Sequence, residues 1–489
     1  MNDAEPIPAR GVRSPRSRRP GLLATLVLVH VGVFVVFTSW AFGGQVPWAR
    51  QVIAGWGAVG VVLFVAAVCV RPRPAGEHVT AAIRCLWPLL LFDVLVGLSC
   101  FNPSFNEVLI GGEPSLVMGE PLRWLPSSAR PLLAAHELWQ FNVFVLSCFN
   151  LCLALPTRRL VRTVLFILGG NAVALAVFGT FQKLGGADGL WFGLVPSTNP
   201  KFFSTFVYPN HWGAFTLLNT AVCLGLLQHF LRRRGDRDLW HTPVPLAGLA
   251  TLLLAATIPL SASRSSTVLL AVLLLGFLAH LIGWVRRHRR ETHRSAAGPV
   301  AAILLAAGLA VAAIGFLGRE VIVQRTRLTA EQVTQIAREE TLNSRLTLYR
   351  DTWRMAAARP WCGWGLESYA HVFRIFNTQR AAESWVWIPF YARAHNDWFQ
   401  SLAEVGFAGT GLRALLVLAA LRTVPWRRVD SLLPRYLLGG CGLVLLYAWV
   451  EFPFANPAVM LTFCATFCCA LRYAALDPRD PPAKPPAHA

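Results

Sequence analysis

The densest polar cluster of the chain is YARAHNDWFQSLAEVGFAGTG, Tyr391 to Gly411, where an arginine, a histidine, an asparagine and an aspartate fall within five residues at the head of an apolar run. Asn396 or Asp397 is placed to cap a helix that follows. The positive end of that helix would favour a neutral imidazole at His395, the form a general base needs. Asn396, Gln400 and Glu404 recur every four residues, so a helix would carry them on one face, with His395 at its head. Glu404 would then enter the membrane zone and should face the interior of a bundle. The plainer reading of His395 is an interfacial or capping side chain.

Two further stretches have residue types suited to anionic ligands. In SASRSS, Ser261 to Ser266, Arg264 stands at the junction of two apolar blocks. A charge there either snorkels to the surface or aims its guanidinium fork at a phosphate at headgroup depth. In STFVYPNHWGAF, Ser204 to Phe215, Pro209 holds Tyr208 out of helical geometry. Asn210 or His211 can then cap the next helix, or Asn210 can hydrogen-bond a sugar or phosphate. A third stretch, NSRLTLYRDTWRMAAARPWCGWG, repeats Leu346, Tyr349, Trp353 and Ala357 at helical spacing. Ser344 or Asn343 could cap it, and Pro360 with Gly363 and Gly365 should end it. Such a helix would suit the outer leaflet or a lid over the bundle.

The elements that must position these residues are transmembrane. Of 489 residues, 55% are apolar and 14% charged, with a mean hydropathy of +0.48; soluble domains carry about 25% charged residues. The apolar residues fall in charge-free blocks of bilayer-spanning length. The composition predicts an all-α polytopic membrane protein of about twelve transmembrane helices, near 21–42, 52–70, 85–101, 139–155, 163–182, 213–231, 245–262, 267–285, 299–318, 401–422, 437–453 and 457–475. The N-terminal apolar run is too long for a signal-peptide core and is read as the first, retained span.

The net charge of +20 does not indicate a nucleic-acid partner, because most of it sits in short runs between apolar blocks. These basic clusters all fall on one side if the spans alternate, and the positive-inside rule makes that side the cytoplasm. Residues 1–20 are then a basic cytoplasmic tail, 21–475 the transmembrane domain, and 476–489 a Pro-rich cytoplasmic tail. The other side carries segments near 102–138 and 183–212 and one long extracytoplasmic loop, 319–397, between spans nine and ten. That loop holds eleven arginines against eight acids, which suits phosphate, pyrophosphate or lipid headgroups. The cysteines lie mostly within apolar blocks, where they act as small hydrophobes. Asp93 and Glu451 fall in apolar stretches, and each needs a partner that the sequence does not identify.

Together SRSS at 263–266, RLTLYRDTWRMAAARPWCGWGLESY at 345–369, HNDWFQSLAEVGFAG at 395–409 and the Pro-Asn element at 209–210 resemble the O-antigen ligase and polymerase superfamily. The resemblance implies a membrane glycosyltransferase of the bacterial inner membrane with its active site facing the periplasm. Its donor would be an undecaprenyl-diphosphate-linked glycan. Its acceptor would be a hydroxyl of lipid A-core, of another lipid-linked repeat or of a protein Ser or Thr. His395 matches the family's essential histidine, and Arg264 and Arg345 match its recurring arginines, with Arg350 and Arg354 as close rivals of Arg345. Asn210, Asn396, Gln400 and Glu404 would support them. The implied chemistry is a metal-independent, inverting single displacement without a cofactor: His395 takes the acceptor proton and the arginines hold the pyrophosphate. The rival classes are a transporter or flippase and a non-catalytic glycan-binding scaffold. No internal repeat of the kind transporters show is evident.

Overall fold

The computed structural model describes residues 21–69, 76–110, 113–233, 238–261, 263–317, 341–378 and 390–476. The two expected tails fall almost wholly outside the described residues. So do 319–340 and 379–389 of the expected long loop, with Arg319, Arg325, Arg327, Arg338 and Arg380.

Every expected span meets a helix. In chain order these are α1 (Leu22–Trp40), α2 (Pro47–Cys69), α3 (Gly76–Arg84) running into α4 (Trp87–Cys100), α5 (Pro131–Ala154), α6 (Arg158–Leu184), α7 (Pro209–Arg233), α8 (Val244–Leu260), α9 (Arg264–Glu291) and α10 (Ala297–Leu317). The long polar segment contributes α11 (Thr341–Ala358) and α12 (Tyr369–Phe376). The chain then ends with α13 (Asp397–Arg422), α14 (Leu433–Tyr447) and α15 (Pro457–Ala475). Among the described residues nine helices are long and apolar enough to cross a membrane; Val244–Leu260, the Ala297–Leu309 part of α10 and Leu433–Tyr447 are shorter apolar helices.

Several boundaries differ from expectation for an identifiable reason. The helices α2, α5 and α7 each begin on a proline upstream of the expected start, Pro47, Pro131 and Pro209, while α15 begins on Pro457 as expected. Proline suits a first turn, where its missing N–H has no intrahelical partner and its φ is already helical. In α5 the polar His136 and Glu137, a turn after Pro131, break the apolar run that hydropathy follows. In the same way α11 starts at Thr341 rather than after a cap at Asn343 or Ser344, and α7 starts at Pro209 rather than after Asn210 or His211. The chain is also not purely helical. β1 (Phe105–Ile110) pairs antiparallel with β2 (Glu113–Met118), and a second, two-residue pairing joins Gly189–Leu190 to Val195–Pro196.

The helices α7 and α15 form the centre, each with 78% of its apolar window buried, while α9 has 11% of its window buried. The helix ends sort by charge. At one end Arg158 pairs with Asp430 at 3.1 Å, Arg162 donates to Tyr473, and His280 bonds Tyr436. At the other end lie the starts of α7, α9 and α13 and the close of α14, where the candidate site forms.

One element carries an internal break. Gly406, at φ 64° and ψ −169°, interrupts α13. The backbone groups it frees are met by the segment after α11. Trp364 N donates to Ala403 O at 3.0 Å, Gly365 N to Glu404 O at 2.8 Å, Phe407 N to Pro360 O at 2.8 Å and Ala408 N to Trp361 O at 3.0 Å. Non-helical backbone at membrane depth is tolerated where protein satisfies it in this way. The contact needs glycine on both sides. A Cβ on Gly363 would lie 2.4 Å from the Glu404 carbonyl, and one on Gly406 would lie 2.3 Å from that of Trp361. The segment between α11 and α12 is thereby stitched into α13, the helix that begins beside His395.

Candidate functional site

The turn before α13 sets the position of His395. Asn396 is the helix N-cap: its Oδ1 accepts from Phe399 N at 3.0 Å, and its Nδ2 donates to Trp449 O at 2.8 Å. Asp397 N donates to Ala448 O at 2.9 Å, and its carboxylate accepts from Phe454 N at 3.0 Å. The start of α13 is thus bound to the turn that follows α14. His395 precedes this cap in left-handed backbone, φ 51°, a conformation costly for a non-glycine residue unless its surroundings hold it. Here they do. Its carbonyl accepts from Tyr349 Oη at 3.0 Å, and its ring packs edge-on to Phe452 with centroids 4.8 Å apart.

Glu451 faces the imidazole. Its Oε2 lies 3.5 Å from His395 Nδ1, and its Oε1 lies 3.6 Å from an Arg345 guanidinium nitrogen. Tyr208 Oη also donates to Oε2, at 3.3 Å. Glu451 is 3% exposed and His395 29%, so a buried carboxylate backs a partly open ring. Burial, and then the Glu451 charge, push the Tyr208 phenol above its usual range. Tyr208 therefore stays a hydrogen-bond donor to the carboxylate. Tyr349 is pushed up as well, by its burial.

A hydrogen-bonded chain continues from Tyr208. Asn210 Nδ2 donates to Tyr208 Oη at 3.0 Å, and Tyr447 Oη donates to Asn210 O at 3.4 Å. Ser266 donates to Tyr447 at 3.1 Å, and Ser263 lies 3.0 Å from the same hydroxyl. Ser263 is the N-cap residue of α9, whose first residue is Arg264, and Arg264 is exposed. The SRSS stretch, the Pro-Asn stretch and the histidine stretch, far apart in sequence, thus meet through Tyr447 and Glu451.

The structure distinguishes the arginines of α11 and Arg359 just after it. Arg350 and Arg354 turn to Asp351, at 3.7 and 3.4 Å, and Asp351 is fully buried and also accepts from Thr378. Arg359 stacks over Trp364 and donates to Ser127. Arg345 alone of these four reaches Glu451, and its side chain is 53% exposed. The buried stripe of α11 is Leu348, Asp351, Thr352, Met355 and Ala356 rather than Leu346 and Ala357; Leu346 is 62% exposed. Tyr349 and Trp353 border that stripe and pack on Phe399 of α13. The helix is a packed lid.

The expected single face from His395 to Glu404 is not formed. Asn396 is a cap outside the helix, and the left-handed turn sends His395 toward Glu451. Gln400 and Glu404 share a different environment. Gln400 Nε2 donates to Glu404 Oε1 at 3.1 Å, which also accepts from Tyr369 N at 3.3 Å, while Gln400 Oε1 accepts from Ala394 N at 3.2 Å. Beside them Arg393 donates to Glu367 through both terminal nitrogens, one bond being 2.8 Å. Burial alone would raise the Glu367 carboxyl, but the Arg393 charge and its hydrogen bonds outweigh this and hold it below its usual value. Glu404 is 5% exposed and faces inward as expected. Asp93 finds its partner in Asn142, whose Nδ2 donates to it at 2.8 Å.

Sequence reasoning missed Tyr208 and Tyr447 as members of the site and left Glu451 without a partner. Glu451 carried a signal, as an acid in an apolar stretch. The tyrosines carried none, because buried tyrosine is common and only their hydroxyl partners distinguish them.

Residues 249–414 match the family model described as O-Antigen ligase. No curated protein matches the chain. The matched segment holds Arg264, Arg345, His395 and the broken start of α13, and its match supports the resemblance to the O-antigen ligase superfamily.

Proposed function

We propose that the protein transfers a glycan from an undecaprenyl-diphosphate carrier to an acceptor hydroxyl at the outer face of the bacterial inner membrane. The observation that carries this reading is the His395–Glu451–Arg345 cluster, formed by residues of the family-matched segment and the turn after α14. In this reaction the acceptor oxygen attacks the anomeric carbon and the bond to the diphosphate breaks, with inversion. His395 takes the acceptor proton on Nε2 while Glu451, beside Nδ1, stabilises the imidazolium that forms. Arg264 and Arg345 meet the negative charge that develops on the leaving diphosphate. Arginine can do this without a metal ion, since its fork matches phosphate oxygens and its charge is permanent. Asn396 acts by fixing the turn that holds His395; Asn210 acts through Tyr208.

The reading is tested with purified protein and lipid-linked donor in proteoliposomes. His395→Ala should lower transfer by about 10²–10⁴-fold, the usual contribution of a general base, with membrane insertion unchanged. Retained activity would refute the base assignment. Arg264→Ala and Arg345→Ala should each raise the donor KM or lower kcat, and unchanged donor kinetics in both would remove the clamp. The acceptor class is read from the surface glycans of a deletion strain. Free lipid-linked polymer with bare core marks a ligase, and single repeats on core mark a polymerase.

A further inference from the structure

At the end of the bundle opposite the His395 turn, a tyrosine and a histidine mark where three helices meet. Tyr436, in the first turn of α14, hydrogen-bonds His280 of α9, and the two rings lie nearly parallel with centroids 5.8 Å apart. The same tyrosine packs against α7, where a Cβ on Gly225 would lie 3.2 Å from its own. Arg232 follows Gly225 by seven residues, and Arg287 follows His280 by seven. Seven residues are close to two helical turns, so each arginine stands on the face that meets Tyr436, about 10 Å nearer its helix end. Arg435 adjoins the tyrosine itself.

The three charges converge. Arg287 and Arg435 both act on Arg232, and all three act on His280. All three side chains are exposed. Arg287 bonds the protein through its Nε, which donates to Gly283 O at 3.3 Å. The described acids flanking these helices turn elsewhere: Asp238 lies 3.7 Å from His241, Glu291 4.0 Å from His288, and Asp430 pairs with Arg158. Arginines at one end are expected of any membrane protein. Their meeting from three helices around one hydrogen-bonded pair is not.

Depth and surroundings favour a lipid. With 28 residues α9 rises about 42 Å, more than the roughly 30 Å hydrocarbon core, so its basic last turns stand at headgroup level. Only 11% of its apolar window is buried. Beside the arginines the helix surfaces are bare: a Cβ on Gly276 or Gly283 of α9, or on Gly439 of α14, would meet nothing within 4 Å. An acyl chain can lie close against such a surface while guanidinium forks hold phosphate oxygens above it.

We infer that Arg232, Arg287 and Arg435 form a binding site for an anionic phospholipid, its phosphate between the guanidinium groups, its ester oxygens beside His280 and Tyr436, and an acyl chain along Gly276 and Gly439. The lipid braces the little-buried α9 at one end; the other end of that helix carries Arg264 and Ser266 of the candidate site. The inference does not depend on the proposed glycosyl transfer.

The test uses the full chain in detergent, with lipid binding read by native mass spectrometry. Phosphatidylglycerol should bind at least tenfold tighter than phosphatidylcholine of the same acyl chains, and equal binding would overturn the site. Arg232→Gln with Arg287→Gln should weaken phosphatidylglycerol about 20-fold and leave phosphatidylcholine unchanged; Arg435→Gln alone should weaken it about fivefold. Arg159→Gln with Arg422→Gln removes the same charge from exposed positions on α6 and α13 at this end of the bundle, and should leave binding unchanged. Equal weakening in that pair would leave only general attraction to a basic surface. Displacement of the lipid by an equal concentration of inorganic phosphate would reassign the arginines to a free anion. Phosphatidylglycerol should also raise the Tm of the wild type and not of the Arg232/Arg287 variant; the same rise in both would refute the brace.

Discussion

At the scale of single residues, Glu451 is where the site is joined. It touches His395, Arg345 and Tyr208 while 3% exposed. A buried carboxylate with three polar neighbours resists removal more than isosteric replacement. Glu451→Gln keeps the shape and an accepting oxygen but loses the charge that would stabilise a protonated imidazole. Its transfer rate should fall by less than the loss in His395→Ala, with the donor KM also altered through Arg345. Partial recovery by Glu451→Asp would separate a charge effect from a packing effect, and a Gln variant at the wild-type rate would exclude Glu451 from the mechanism. The sequence marks Glu451 as an acid that requires a partner. It does not reveal the partner, because that depends on α14 stopping at Tyr447 so that residues 448–452 fold back onto the start of α13.

At the scale of elements, the decisive feature is the insertion of residues 360–365 into the break of α13. The glycines at 363 and 365 were legible as a helix stop. Their second role was not, since nothing local links them to Gly406, and a helix pattern runs through Gly406 without interruption. The face of α11 was likewise misjudged. Its period was right, but Leu346 and Ala357 are apolar and exposed while Asp351 and Thr352 are polar and buried through Thr378 and Tyr369. Apolar periodicity cannot find a face held by hydrogen bonds. Gly363→Ala and Gly406→Ala should each destabilise the protein, because both residues have positive φ and a backbone carbonyl within 2.4 Å of the added Cβ. Backbone strain of this kind costs on the order of 1–3 kcal/mol before the steric clash is counted. A lowered Tm in detergent and faster proteolysis between α11 and α12 would register it. Gly411→Ala, where nothing lies within 4 Å of an added Cβ, serves as the control and should leave both measurements unchanged.

At the scale of the whole molecule, length and burial account for the helices that fall short of a membrane span. At 15 residues α14 rises about 22 Å, less than the roughly 30 Å hydrocarbon core. Its early end places the irregular turn 448–456 between α13 and the start of α15, where Asn396 and Asp397 bond its backbone and its own Asn456 caps α15. Lipid would not satisfy those groups; protein does. The short helix is thus what admits Glu451 to the site. The span pattern was legible from composition because lipid-facing helices must be apolar throughout. The site was legible only in part, because it is built from helix ends, where polarity is ordinary. We propose an orientation from charge. The end of α9 carries His288, Arg289 and Arg290, and Arg158 and Arg435 lie at that same end of the bundle, the face that the positive-inside rule predicts to be cytoplasmic. A green fluorescent reporter fused after Thr292 should fluoresce, and alkaline phosphatase fused after Thr378 should be active. The reverse pair would place His395 and Glu451 on the cytoplasmic face, where a glycan already carried to the outer leaflet could not reach them.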